Sequence, residues 1–509
     1  MLNLATIIEQ SAARYPTRTA LVIGDHRLPY PALRAQARAF AGALRELGLR
    51  RGEHIALLLP SVPQFTIAYF GAHYAGNPVV PLNPMLKPDE LAHLLADADA
   101  AALVVWEDWL AGARVAQQRA AGLRQLIVVR RAPGPEPEGA RCYDALLARA
   151  APLGAMAPTA ADDTAVIMYT SGTTGSPKGA ELTHLNVLLN AWAVSREEAP
   201  VPPGEGIVLS TLPLFHGFGQ TVLQNMILMW GGTLVLQPAF DLLGAAELIE
   251  QHGVNSISGV PPMYGGFWRH PAITPDRLKS LRHCMSGGAP MPPAIRQGFS
   301  EKFGVAIGEG YGLTECAPVA SMSQTDPGRP GGIGRPIWGV ELKLVDPQGQ
   351  DVTDDDAPGE LYIRGHNVMK GYYKRPEQTA EVIVDGWLRS GDICARAADG
   401  AFYLIDRRTD LIIRNGYNVY PSEVERALLG HPAVASAAVV GVPHAAHGEE
   451  IKAFVALRPG AAVEASGLIA HCKERLAEYK YPRMVEIRAE LPVSPTGKVI
   501  KRDLTAPPG

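Results

Sequence analysis

Short apolar runs of β type alternate with helical runs from the N-terminus to about Leu344, and this rhythm constrains the fold more than any other feature. HIALLLP from His54 reads as a strand, FTIAYFGAHYAG as a helix, PVVPLN as a strand, DELAHLLADA as a helix and AALVVW as a strand. The alternation returns after Ala165, with strands GIVLSTL, TLVLQ, NSISGV, LRHCMSG and VAIGEGYG and helical AAELIEQH and PPAIRQGFSEKFG. A βαβα rhythm predicts parallel sheets covered by helices, whose ligands bind beyond the carboxyl ends of the strands. After about Gly339 the pattern changes. VELKLVD, GELYIRG and AFYLIDR are short strands between Gly, Pro and Asp turns, which predicts antiparallel sheet or a small β-barrel-like subdomain. From about Arg407 a smaller α+β unit follows, with helices PSEVERALLG and Ala465 to Leu476 and strands VASAAVVGV, IKAFVAL and MVEIRA.

Bulk properties narrow the function. A chain of 509 residues that is 47% hydrophobic and 19% charged can bury large cores. A formal charge of −4 argues against a general nucleic-acid binder. No uninterrupted apolar run reaches membrane-spanning length, and the first residues, MLNLATIIEQSAARYP, lack the basic and apolar regions of a secretory signal. The five cysteines (Cys142, Cys284, Cys316, Cys394, Cys472) are scattered without zinc spacing, as reduced thiols in a cytoplasmic protein would be.

Residues Tyr169 to Gly179 read YTSGTTGSPKG. Gly172, Gly175 and Gly179 permit positive φ and inward-turned N–H groups. Together with the hydroxyls of Thr170, Ser171, Thr173 and Thr174 and the Lys178 ammonium, they suit a polyphosphate. The run is not a Walker A loop, because no hydroxyl follows Lys178. The apolar AVIMY precedes it, and Thr183 is the expected N-cap of the helix that follows, so the predicted context is strand, phosphate loop, helix.

Other motifs stand in order along the chain: LPLFHGFG, SGGAP, YGLTE, GWLRSGD, DRRTDLIIRNGYNVYPSEVE and PTGKVIKRDL. With the loop above, they make the chain resemble the AMP-forming acyl-CoA synthetases of the adenylate-forming superfamily over nearly its whole length. The resemblance implies activation of a carboxylic acid by ATP to an acyl-adenylate and transfer to the coenzyme A thiol. A carrier-protein thiol is the alternative acceptor. It further implies an N-terminal domain over residues 1–406, a hinge at 407–409 and a small mobile C-terminal domain over 410–509, as monomer or homodimer.

The resemblance also assigns residues. Thr170, Ser171, Gly172, Thr173, Thr174, Gly175 and Lys178 would hold the outer phosphates. Glu315 would bind Mg²⁺, and Thr314 would donate to the α-phosphate. Tyr311 and Gly312, facing the bulk-free turn Gly287, Gly288, Ala289 and Pro290, would flank adenine. Asp392 would accept the ribose hydroxyls, with Arg407 beside it. Lys498 would bridge carboxylate and α-phosphate. On residue type alone, Glu315 reads as a solvated loop carboxylate, Tyr311 as a core tyrosine, Asp392 as a turn aspartate and Lys498 as an exposed lysine.

The C-terminal unit would rotate about Arg408 and Thr409 to bring Asn415, Gly416 and Tyr417 to the site for the thiol step. Thr409 departs from the pattern, since many members carry Lys or Asp there. His216, Gly217, Phe218, Val222, Val260, Met263, Pro318 and Val319 would line the acyl pocket, with Tyr264 nearby. These residues offer no cation for a second carboxylate and no anion for an amine, so the expected acid is a hydrophobic monocarboxylic acid, fatty or otherwise bulky. Gly217, lacking bulk, is expected to widen the pocket. His216 reads equally as a gate or as a packed histidine.

Overall fold

The computed structural model describes residues 1–132, 134, 136–170, 177–197, 202–323, 331–407, 410–415, 417–444, 447–493 and 499–505. Among them, His54–Leu58 is buried at every position and Ala100–Trp106 at all but its last, as parallel strands covered on both faces must be. They form the middle of an eight-stranded sheet. From one edge its order is Gly371–Tyr372, Lys178–Thr183, Thr164–Thr170, Val79–Pro81, His54–Leu58, Ala100–Trp106, Gln125–Val129 and Arg141–Cys142. Pairing is parallel from Thr164–Thr170 to the far edge and antiparallel for the first two strands.

A second sheet has fourteen strands and two characters. Thr19–Ile23, Thr233–Val235, Ile207–Leu209, Ser256–Gly259, His283–Ser286 and Ile307–Gly312 run parallel. Beyond them Val319–Ser323, Gly332–Pro336, Phe402–Arg407, Trp387–Arg396, Gly359–Gly365 and Val340–Val345 continue the same sheet antiparallel. The antiparallel region expected after Gly339 is therefore built onto the parallel one, edge to edge. The helix Pro63–Tyr74 is buried continuously from Phe65 to Tyr74. A helix with no polar face must lie inside the molecule. Its Phe65 and Tyr69 share one core with Leu57 of the first sheet and Leu234 and Met285 of the second.

From Ile412 onward the strands form a separate five-stranded sheet. Its order is Tyr417–Val419, Ile412–Arg414, Gly448–Leu457 and Val434–His444, with Met484–Arg488 parallel to Gly448–Leu457. The helices Pro421–Leu429 and Ala465–Lys473 close its core through Val424, Leu428, Leu468 and Cys472. Contact with the preceding strand is local: the Ser422 N–H donates to Asp406 Oδ2 at 2.8 Å. No helix among the described residues is long and apolar enough to cross a membrane.

One local expectation fails. The phosphate loop does not lead straight into a helix. Lys178–Thr183 is a strand, paired with Thr164–Thr170 on one side and Gly371–Tyr372 on the other. KGAELT alternates over only four residues, Ala180 to Thr183, and two long-range ladders hold it extended. The cap is as expected. Thr183 Oγ1 accepts from the Asn186 N–H at 3.1 Å, and Asn186 Oδ1 accepts from the Thr183 N–H at 2.8 Å, starting the helix His184–Glu197.

Candidate active site

The strands place the sequence motifs at neighbouring ends. Thr170 and Lys178 form the last register pair of the phosphate hairpin, and the Thr170 hydroxyl lies 3.5 Å from the Lys178 carbonyl. Both side chains are partly exposed, as a ligand cradle requires. The Lys178 ammonium lies 5.2 Å from the centroid of the Tyr372 ring. Thr314–Cys316 is a single 3-10 turn beyond the strand Ile307–Gly312. It is closed by the Leu313 N–H donating to the Pro318 carbonyl at 2.9 Å. Gly312 is obligatory there, because a Cβ would strike the Pro318 carbonyl. Glu315 is partly exposed. Its Oε1 accepts from the Tyr372 hydroxyl at 2.8 Å, and its backbone carbonyl accepts from the Met369 N–H at 2.8 Å. A half-open carboxylate at the mouth of a phosphate-type hairpin is the hard oxygen donor that Mg²⁺ takes.

Of the residues expected to meet adenine and ribose, Tyr311 is buried and its hydroxyl donates to Asp392 Oδ2 at 2.7 Å. Burial, and then the Asp392 charge, push this phenol well above its ordinary pKa, so it stays a donor. Asp392 and Arg407 face each other across adjacent strands, with Arg407 Nε 3.5 Å from Asp392 Oδ1. The turn after His283–Ser286 is only partly as expected. The space a Cβ on Gly287 would take is already occupied by the Phe218 ring, 2.8 Å away. Gly288, at φ +77°, is the open position, its nearest neighbour being Val260 Cγ1 at 3.9 Å. Ala289 and Pro290 follow it at the surface.

The acyl-pocket residues also converge. Val222, Val260 and Val319 belong to the main core, with Phe218 and Met263 packed against it, and Pro318 is buried. Phe218–Asn225 winds as a π-helix, a form that recurs at functional sites. The expectation that Gly217 widens the cavity is corrected. A Cβ there would lie 3.1 Å from Met168 Sδ and 3.4 Å from Pro318 Cβ, so the space is filled. Met168, missed in the sequence, is thus a wall residue. It sits in a strand that reads as uniformly buried, and only the fold turns it toward Gly217. His216 is exposed, and its Nδ1 accepts from the Phe218 N–H at 3.3 Å. Protein packed around it lowers its pKa, which keeps it neutral near pH 7.

Two asparagines unread in the sequence brace the backbone here, one of them at Val319. Asn190 donates to the Val319 carbonyl at 2.7 Å and accepts from the Val319 N–H at 3.2 Å. Asn186, one turn earlier on the same helix face, donates to the carbonyls of His366 and Val368 at 2.7 and 2.9 Å. An i, i+4 pair of buried amides behind the phosphate hairpin was the available signal.

Ser171, Gly172, Thr173, Thr174, Gly175, Arg408, Thr409, Gly416 and Lys498 lie outside the described residues. Asn415 and Tyr417 lie at the surface of the C-terminal sheet, Tyr417 with its ring 4.8 Å from Tyr479. His444, His447 and Glu450 bring three possible ligand atoms within 4.8 Å of one another. The two imidazole planes are parallel to within 7°, so no ion can lie in both planes, and Glu450 already takes Arg414 in two bonds.

The geometry now meets its relatives. Residues 8–373 match the family model for the AMP-binding enzyme, and residues 423–498 that for the AMP-binding enzyme C-terminal domain. The chain is 33% identical over 529 residues to a long-chain-fatty-acid–CoA ligase of Bacillus subtilis (strain 168), covering 99% of this chain and 94% of that protein. It is 37% identical over 491 residues to a feruloyl-CoA synthase of an Amycolatopsis species, covering 96% of each. A crystal structure of the anthranilate CoA ligase AuaEII in complex with anthranoyl-AMP superimposes with a TM-score of 0.91 at 28% identity, over 99% of this chain and 96% of that one. The chain belongs to the AMP-binding enzyme family. Within it, the enzyme is an acid–thiol ligase of the AMP-forming acyl- and aryl-CoA synthetase kind.

Proposed function

We propose that this ligase activates a hydrophobic monocarboxylic acid, fatty or otherwise bulky, with ATP and transfers the acyl group to coenzyme A. The observation that supports the acid class is the packing of Met168, Phe218, Val260, Met263, Pro318 and Val319, which we read as the pocket wall, beside a neutral His216 and with no charged side chain among them. A second carboxylate or an amine would enter this wall without a partner, at a cost of several kcal/mol. Among relatives, the named acids include long-chain fatty, ferulic, benzoic and anthranilic acids, and also o-succinylbenzoic acid, a dicarboxylate.

In this reading Thr170, Ser171, Thr173, Thr174 and Lys178 hold the outer phosphates. Thr314 donates to the α-phosphate, and Lys498 bridges it to the attacking carboxylate, so that two anions can be held in line. Tyr311 and the Gly288 to Pro290 turn flank adenine; Asp392 and Arg407 hold the ribose. Glu315 would carry Mg²⁺, which supplies charge neutralisation to the phosphates when bound. Rotation about Arg408 and Thr409 would then present Asn415, Gly416 and Tyr417 for the thiol step.

The test is mass spectrometry of the products made with ATP, CoA and a mixed acid library. The expected product is the CoA thioester of a hydrophobic acid, with AMP. Best turnover on acetate, an amino acid or a dicarboxylate overturns the acid class, and transfer only to a carrier protein overturns CoA as acceptor.

A further inference from the structure

The segment Met369 to Tyr373 has no part in the assignments above, yet it touches the phosphate hairpin and the Glu315 turn together. Gly371 and Tyr372 pair with Glu181 and Ala180 as the edge strand beside the hairpin. The N–H groups of Lys370 and Tyr373 donate to Glu181 and Gly179 at 2.9 and 2.8 Å, and that of Met369 to the Glu315 carbonyl at 2.8 Å. The Tyr372 side chain repeats this bridge. Its hydroxyl donates to Glu315 Oε1 at 2.8 Å, and its ring face receives the Lys178 ammonium at 5.2 Å. The ring is buried, and its own N–H is fixed to Thr379 Oγ1 at 2.8 Å.

We propose that Tyr372 is a positioning residue that orients the Glu315 carboxylate for a divalent cation and parks the Lys178 ammonium on its ring until phosphate arrives. The inference rests on the reading of this site as one for metal-bound ATP. With Oε1 taken by a fixed donor, Oε2 is the carboxylate oxygen left to serve a hard cation. The cation–π contact gives Lys178 a weak resting place from which a phosphate, a stronger partner, can draw it.

The experiment compares wild type, Tyr372→Phe, Tyr372→Leu, Glu315→Gln and the double variant Glu315→Gln/Tyr372→Phe, all full-length. Mn²⁺ binding to the ATP complex is read by electron paramagnetic resonance, and ATP binding in EDTA by calorimetry, with melting temperature as a folding control. Tyr372→Phe keeps the ring and is expected to weaken Mn²⁺ binding about tenfold, the scale of a lost hydrogen bond to a charged group, while ATP affinity in EDTA is unchanged. In the Glu315→Gln background the same change is expected to add nothing. Tyr372→Leu also removes a contact that Lys178 makes only before phosphate arrives, and is expected to tighten ATP binding in EDTA about threefold. Wild-type Mn²⁺ affinity in Tyr372→Phe, an undiminished effect in the Gln background, or equal behaviour of the Phe and Leu variants in EDTA each overturns the proposal. Failure of the wild-type protein to bind Mn²⁺ with ATP sinks the underlying reading instead, and shows in the control before any variant is compared.

Discussion

At the scale of single residues, the site depends on polar groups with specific partners. Asp392 illustrates this: one oxygen takes the Tyr311 hydroxyl and the other faces Arg407. Asp392→Ala removes the expected ribose acceptor and takes one of the partners of the buried Tyr311 hydroxyl, which costs about 1–3 kcal/mol. We expect the KM for ATP to rise at least tenfold while the KM for the acid changes little, and steady-state kinetics at saturating acid would check it. An unchanged KM for ATP would remove Asp392 from the nucleotide site. The residues legible at this scale, among them Glu315, Asp392 and Tyr311, carry their own motif. Tyr372, Met168 and Asn190 were not legible, because each acts through a partner at least 49 positions away in the chain. Local sequence records what a residue is and what flanks it; it does not record which distant atom it will touch.

At the scale of elements, the helix His184–Glu197 links the two halves of the site. Its Thr183 cap fixes the exit of the phosphate hairpin, and its Asn190 holds the backbone at Val319 in the acyl wall. Asn190→Ala leaves the Val319 N–H and carbonyl with one fewer partner each in a buried setting. The expected loss is about 2 kcal/mol of stability, with a several-fold rise in the KM for the acid and a smaller change in that for ATP. Denaturant unfolding and substrate kinetics on the same variant would separate these effects; equal changes in both KM values would show that the helix carries no acyl-specific role. The N-cap was readable, because Thr183 and Asn186 are three residues apart and their bonds are local. The strand before it was not, because its register comes from Thr164–Thr170 and Gly371–Tyr372.

At the scale of the whole molecule, burial of neutral histidines ties stability to pH. His184 and His283 are buried, and burial lowers each from an ordinary value of 6.5 to about 4. Asp163 and Arg51 near His184 act in opposite senses and do not reverse the shift. The His184 Nδ1 accepts from the Leu4 N–H at 3.2 Å, which holds the ring in its neutral form. Between these pH values the unfolded chain binds more protons than the folded one, so stability is full above about 6.5 and falls as pH drops toward about 4. Each group accounts for up to about 3 kcal/mol over that range. Melting temperature is expected to decline steeply from pH 6.5 to 4.5, and His184→Asn to flatten the slope. A level profile down to pH 5 would contradict this account. The chain by itself determined the nucleotide chemistry, the βαβα layering and the separate C-terminal unit, because motifs and apolar periodicity are properties of neighbouring residues. Only the tertiary structure decided that the phosphate loop is a hairpin, that Gly217 is packed by Met168 and Pro318, and that Tyr372 stands between Lys178 and Glu315. Those outcomes depend on sheet register and close packing between distant segments, which no local pattern encodes.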